Sequence, residues 1–347
     1  MNSWGDRRFV AWARVACLVG VCLFCATRSP GDEAGLGETS ARYYRELRSR
    51  GLHRLAESYC LERLARRDLP AAERADLTLE LSRTLEDHAE RATGSEQEQL
   101  WTRAFAVVSD LLASEPDNPR RIVLEVQRAC LPASIGHTRR LRSDLEPFDT
   151  TLRQRAVETL ETAVAALRDI EPRLEAPPAK TKSAHPGSLR PAERKAAQLQ
   201  VRFRLAVALL DLAHLRVDPA AERKAAVVEA QKLLKGVGES AEDDTLVWRA
   251  RMEFVQGCLL LDDFARTQRT LDALEQADPP AEFVDRLLAL RVRLLLAQKE
   301  FRSALALLKQ REQAPGIVPG ELQALAVEVA LADWRSRHPE SDARLSP

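Results

Sequence analysis

An all-α fold of antiparallel helical hairpins, stacked one on another, is what this 347-residue sequence predicts. Three observations carry the prediction. After residue 38 the apolar residues recur with the 3.6-residue period of a helix, and no convincing run alternates as a half-buried strand does. Pro and Gly cut that pattern into segments of helical length. One spacing of an aromatic, a small residue and Leu-type residues then recurs along the chain.

In order, the punctuation predicts helices over 40–50, 51–67, 71–92, 96–114, 119–131, 148–173 and 190–216. It continues with 219–235, 242–260, 262–277, 281–298, 300–313 and 319–337. RIVLEV (121–126) is the one β-like patch, and it runs straight into QRACL. The acids of AEDD (241–244) and LDD (261–263) fall at helix starts, where they complement the dipole and cap free N–H groups. Residues 174–189, LEAPPAKTKSAHPGSL, hold three prolines and few apolar side chains, too few to offset the entropy of ordering. They predict a flexible linker between an N-terminal helical-repeat region, 39–173, and a C-terminal one, 190–338; a disordered tail follows at 339–347.

The N-terminus is different material. Arg7, Arg8 and Arg14 precede an uninterrupted apolar run from Val15 to Ala26. As a helix, twelve residues reach about 18 Å, short of the ~30 Å hydrocarbon core of a bilayer. Residues 1–31 therefore read as a secretory signal peptide or as an N-terminal anchor through 9–26. Either reading makes the chain an exported one, periplasmic or secreted, with membrane contact only through that segment if it is retained. Lys plus Arg (52) balance Asp plus Glu (52), so nothing in the charge favours nucleic acid. Three of the six cysteines lie in the leader; Cys60, Cys130 and Cys258 remain, an odd number without a CxxC pair. No disulfide framework is expected, and these thiols read as small buried apolar residues.

The recurrence is clearest from Phe264, with Thr267, Leu271, Leu274 and Pro279 at three, seven, ten and fifteen. From Phe301, Ala304 and Leu308 follow at three and seven; from Trp101, Ala104, Val108, Leu111 and Pro116 repeat the full set. A looser copy puts Ala56 and Cys60 at three and seven from His53. Offsets of three, seven and ten share one helical face. The small residue lets a preceding antiparallel helix approach, and the aromatic fills the turn between the two. A buried Leu or aromatic contributes about 1.5–3 kcal/mol, so a single hairpin cannot offset the ordering of its residues and must stack on a neighbour. Recurrence on this scale is the sequence signature of a helical solenoid.

In these residues the chain resembles the tetratricopeptide repeat family, and the likeness is to the second helix of that motif. It is best over 245–316, fair over 96–119 and weak over 40–70. The first helix departs from the family: where the motif has Trp, Gly and Tyr, this chain has Arg251, Val255 and Cys258, then Leu288, Val292 and Leu295. The resemblance implies a groove lined by first-helix residues. Carried over position by position, it places Arg249, Met252 and Gln256 there, then Arg286, Ala289 and Arg293. Such a groove suits acidic peptide segments or a terminal carboxylate.

No phosphate loop, HExxH, GxSxG or paired CxxC occurs, and no histidine has an i+4 His or Cys partner. No catalytic residue, metal site or cofactor is implied. HTRRLR (137–142), the densest basic cluster, reads as a solvated connector. The resulting expectation is a non-enzymatic scaffold of the cell envelope that binds a protein or peptide. The alternatives are a helical accessory part of a peptidoglycan-acting enzyme and a membrane-anchored assembly factor.

Overall fold

The computed structural model of the chain describes residues 38–175, 188–216, 220–240 and 244–338. The expected leader or anchor, residues 176–187 of the Pro-rich linker, residues 241–243 and the tail at 339–347 lie outside the described residues. Among the described residues there are thirteen α-helices and no strand. They are α1 (Glu38–Ser49), α2 (His53–Leu64), α3 (Ala71–Arg91), α4 (Gly94–Ser114), α5 (Arg121–Leu145), α6 (Thr150–Glu175) and α7 (Pro191–Leu215). The remainder are α8 (Ala220–Ser240), α9 (Asp244–Leu260), α10 (Phe264–Gln276), α11 (Ala281–Ala297), α12 (Phe301–Gln313) and α13 (Gly320–Arg337).

Three helices outrun their expected C-terminal ends; α6 does so by two residues, so that Leu174 and Glu175 of the expected linker are helical and Leu174 is buried. The fifth, expected to stop at 131, continues through Pro132 to Leu145. A proline inside a helix removes one backbone hydrogen bond. The turn that follows buries Ala133, Ser134 and Gly136, so packing overrides the local breaker. Gly136 permits the close approach of α6: a Cβ there would stand 2.6 Å from Leu160 Cγ. HTRRLR is accordingly helical and not a connector. Likewise α8 runs across Gly236 and Gly238 to Ser240, beyond the expected 235.

Each helix packs against the next in sequence. Beyond that, every odd-numbered helix packs against the following odd-numbered one, while the even-numbered helices do not pack on each other and meet through side-chain ion pairs such as Arg103 of α4 with Glu57 of α2 and Arg168 of α6 with Glu229 of α8. The odd helices thus form one contiguous row, braced by the even helices. The hydrophobic interior follows this order. One cluster joins Tyr44 of α1 to Leu131 of α5; the next runs from Val126 of α5 to Ala250 of α9; two more link α9 to α11 and α11 to α13. The second cluster includes Leu174 and Leu199, so α6 and α7 share a core across the Pro-rich segment.

The seam positions read from the sequence are buried. Thr267, Leu271 and Leu274 form the buried face of α10; Ala304 and Leu308 are that of α12; Trp101, Ala104, Val108 and Leu111 lie in that of α4; His53, Ala56 and Cys60 are that of α2. The recurrence extends to the backbone. Gly51, Asp262 and Lys299, each two residues before the aligned ring, adopt φ of 73°, 56° and 62°. Each of the three turns has paired bonds from the left-handed residue and its successor: Gly51 N to Arg48 O and Leu52 N to Leu47 O, both 2.9 Å, in the first. Asp262 to Leu259 (3.0 Å) with Asp263 to Cys258 (3.1 Å), and Lys299 to Leu296 (3.0 Å) with Glu300 to Leu295 (2.8 Å), repeat it. This is the Schellman closure of a helix C-terminus. Asp263 then caps α10, its side chain accepting from Arg266 N at 3.1 Å. Trp101 departs from the pattern because α4 begins at Gly94, which leaves the ring two turns inside the helix.

Left-handed backbone costs an exposed side-chain-bearing residue about 1 kcal/mol that glycine does not incur. Lys299→Gly is expected to raise unfolding stability by up to about 1 kcal/mol, read from the urea midpoint. A drop in stability would contradict the turn geometry at Lys299.

Candidate functional site

The row of odd helices is joined at every step by polar or cation–ring contacts, and this row is where the candidate groove residues fall. Between α1 and α3, Arg48 bonds Glu80 and lies 3.0 Å from Asp87. Between α3 and α5, Glu86 accepts from Gln127 Nε2 at 2.9 Å and from Ser134 Oγ at 2.5 Å. From α7, Arg204 reaches the same group, donating to Ser134 Oγ at 3.1 Å and to Glu86 at 3.2 Å. Further along α5 and α7, Asp211 meets His137 Nδ1 at 2.8 Å and Arg140 Nε at 2.9 Å. Between α7 and α9, the Arg249 guanidinium lies 5.1 Å from the centre of the Phe203 ring, a cation–π contact. Arg286 of α11 pairs with Glu253 of α9, and Arg293 of α11 meets Glu321 of α13 at 2.9 Å.

The six candidate positions divide three ways. Arg249 and Arg286 are exposed and Arg293 half-buried, all on the row. Gln256 is half-buried and carries a buried Oε1 with no hydrogen-bond partner among the protein atoms. Met252, 1 % exposed, and Ala289, also 1 %, are core residues. Met252 packs with Trp248, Val255, Leu271 and Phe283, because it lies on the seam face of α9, whereas Glu253 and Gln256 follow Arg249 at four and seven on the outward stripe.

Electrostatics separate these arginines. Arg286 and Arg293 have carboxylate partners; Arg249 makes no ion pair among the described residues. Although its side chain reaches solvent, the pKa of Arg249 is lowered, first by desolvation, then by repulsion from Arg204 and Arg286. Carboxylates of α3 lie within electrostatic reach of the same arginines, Glu90 acting on Arg249 and both Asp87 and Glu90 on Arg204. Burial, helped by the neighbouring Glu86 charge, raises the pKa values of Asp87 and Glu90. Acidic and basic groups are interleaved along the same row, with acids on α3, α7, α9 and α13 and bases on α1, α5, α7, α9 and α11.

Glu86, Ser134, Gln127, Phe203 and Arg204 were not singled out in the sequence. The signal was there for part of the set: Ser82 and Glu86 stand four apart on α3, among apolar positions. HTRRLR belongs to this internal pairing too, with Arg139 donating to Thr159 at 2.8 Å and Arg140 to Asp144 at 2.7 Å.

Elsewhere, a cleft of ≈ 400 Å³ between α6, α7 and α8 has Val164, Leu209 and Leu212 in its wall and the Arg168–Glu229 pair on its rim; it contains none of the candidate residues. Among the described residues no three His, Cys, Asp or Glu side chains are grouped to hold a metal ion. Burial pushes the Cys60 thiol up to about 12 and Cys130 to about 11, and all three described cysteines are buried and unpaired. Among the described residues no helix is long and apolar enough to cross a membrane.

No family model, curated protein or solved structure matches this chain.

Two predictions concern buried polar groups of the row and the helices that support it. Glu86 is 4 % exposed, and loss of its arginine strands a carboxylate in the seam. Arg204→Met should cost about 3–5 kcal/mol in urea unfolding, and adding Glu86→Gln should recover at least ~1 kcal/mol of that loss. The second concerns His53, whose ring stacks on His88 at 5.3 Å with both nitrogens unpartnered. Desolvation first, then Arg91, His88 and Arg48, lower its pKa below 6.5. The folded state therefore refuses a proton that the unfolded chain accepts, and the stability from neutral His53 is lost as pH falls below 6.5 toward the folded value. The stability difference between the wild type and His53→Phe should shift against the wild type across that window, as measured by urea titrations at successive pH values.

Proposed function

We propose that this chain is an α-solenoid of helical hairpins similar to tetratricopeptide repeats, acting as a non-enzymatic scaffold that binds an acidic segment of a partner protein. The odd helices are the ligand-facing layer and the even helices the outer layer. What supports the layering is the contact order, in which odd helices pack closely along the whole row while even helices meet only at the reach of ion-paired side chains. The reading of the partner rests on Arg249: a solvent-reaching guanidinium flanked by Arg204 and Arg286, near Glu253 and Glu90 but in an ion pair with neither. A carboxylate supplied by a ligand relieves that repulsion, and a charge-assisted bond of this kind is worth about 1.5–3 kcal/mol. Gln256, seven residues on along the same stripe, has an unpaired Oε1, but that atom is buried, so a peptide N–H reaches it only if the side chain turns outward. Arg286 and Arg293 contribute less, since a ligand has to displace Glu253 or Glu321 to reach them. The setting is the cell envelope, as the apolar segment at 9–26 implies.

The test is an affinity pull-down from envelope extract with the chain as bait, followed by titration of the recovered partner. Arg249→Glu should weaken binding by about tenfold or more, Arg286→Glu and Arg293→Glu by less. Equal recovery by the wild type and Arg249→Glu would remove the acidic-segment reading.

A further inference from the structure

The last described helix, α13, is apolar on two opposite faces. Leu322, Leu325 and Val329 are buried against the preceding helices. Two residues further round, about 200° away, Ala324, Val327, Leu331 and Trp334 form a second stripe, at offsets three, seven and ten. This stripe is open: Val327 is 70 % exposed, Leu331 44 % and Trp334 40 %, and Ile317, just ahead of the helix, is 92 % exposed. A 3–4–3 spacing is the seam of a helix that meets another helix side by side. Single exposed apolar residues need no explanation, but a contiguous stripe at seam spacing marks a contact surface.

The side chains of the stripe say what that other helix is. Placed antiparallel on itself about an axis near residue 329, the stripe sets Trp334 of one copy over Ala324 of the other, and Val327 against Leu331. The largest residue meets the smallest, and the two intermediate ones meet each other. In parallel register Trp334 would face Trp334, and Ala324 would face Ala324, a clash followed by a void. Charge agrees with the antiparallel choice. Glu321 and Glu328 lie in the first part of α13 and Arg335 and Arg337 in its last turn, where Asp333 pairs with Arg337, so antiparallel copies bring a net negative half against a net positive one and opposite helix dipoles together. Glu328 is the exception, because it flanks the axis and faces its own copy.

We propose that the Ala324–Val327–Leu331–Trp334 stripe of α13 docks on the same stripe of a second copy of this chain, forming an antiparallel two-fold dimer. One helix pair buries less than a standard interface of about 1,600 Å², so the dimer is weak, with a dissociation constant in the micromolar range.

Sedimentation equilibrium of the full chain, over loadings of roughly 1–100 µM, reads this directly. The expected result is a mass rising with loading toward twice that of one chain. Leu331→Asp should weaken the association by about tenfold or more, with helical content unchanged because Leu331 supports no buried cluster. Glu328→Gln, which removes the like-charge contact at the axis, should tighten it by a few-fold. A chain that stays monomeric across the range would overturn the proposal. So would an association that persists undiminished in Leu331→Asp, and a Glu328→Gln variant that binds itself no better than the wild type would overturn the antiparallel arrangement.

Discussion

The carboxylate of Glu86 fixes how closely the central helices of the odd row must lie. It receives bonds from Ser134 and Gln127 of α5 and from Arg204 of α7, although α3 and α7 do not pack on each other. Arg204 must therefore reach past α5 to bond it. Between them stands Ser134 of α5, whose short hydroxyl bonds both the guanidinium and the carboxylate. A buried ion pair of this kind is not in itself a source of stability, since desolvation offsets much of the attraction. What it supplies is register. Sliding any of the three helices by one turn would leave the carboxylate, the guanidinium or the amide buried without a partner.

The same device recurs along the row, and its burial declines toward the C-terminus. Arg48 and Glu80 are nearly enclosed, and Glu86 and Asp211 are buried, while Arg286 and Glu321 are exposed and Arg293 is half-buried. Buried pairs hold a unique packing because breaking them is expensive, whereas exposed ones exchange readily with solvent and salt. The row is thus held firmly across α3, α5 and α7 and more loosely from α9 onward. Arginine suits both roles, since its fork spans two acceptors at once. Arg48 takes Glu80 and Asp87, Arg140 takes Asp144 and Asp211, and Arg291 takes Asp272 and Glu275. Lysine, with eight occurrences in the chain, presents a point charge and could not bridge in that way.

The helices and the hairpin seams were readable because they depend on local pattern. Thr267, Leu271 and Leu274 could be assigned to one buried face from spacing alone, and the turn before Phe264 returns 37 residues later with the same backbone bonds. What was not readable depended on tertiary context. Pro132 is a helix breaker by itself and is overridden only by the packing of the turn after it. Met252 shows the limit of transferring a register: the family pattern put it in the groove, whereas on α9 its neighbours Trp248 and Val255 draw that face into the core. The polar contacts of the row were hidden for a third reason. Glu86 and Arg204 are 118 positions apart, and no periodicity connects residues on different hairpins.

Under the proposed function, the same polar row limits how a ligand can be recognised. Phe203 is 2 % exposed, Met252 and Ala289 are 1 % each, and so the row has little apolar surface to offer near Arg249. Most of its charges are engaged in holding neighbouring helices, and a ligand carboxylate that takes Arg286 or Arg293 must release Glu253 or Glu321 to water. Arg249 has no ion pair to give up, although Glu253 and Glu90 lie within electrostatic reach, so the attraction is strongest there. Recognition built this way is electrostatic, responsive to salt, and moderate in strength.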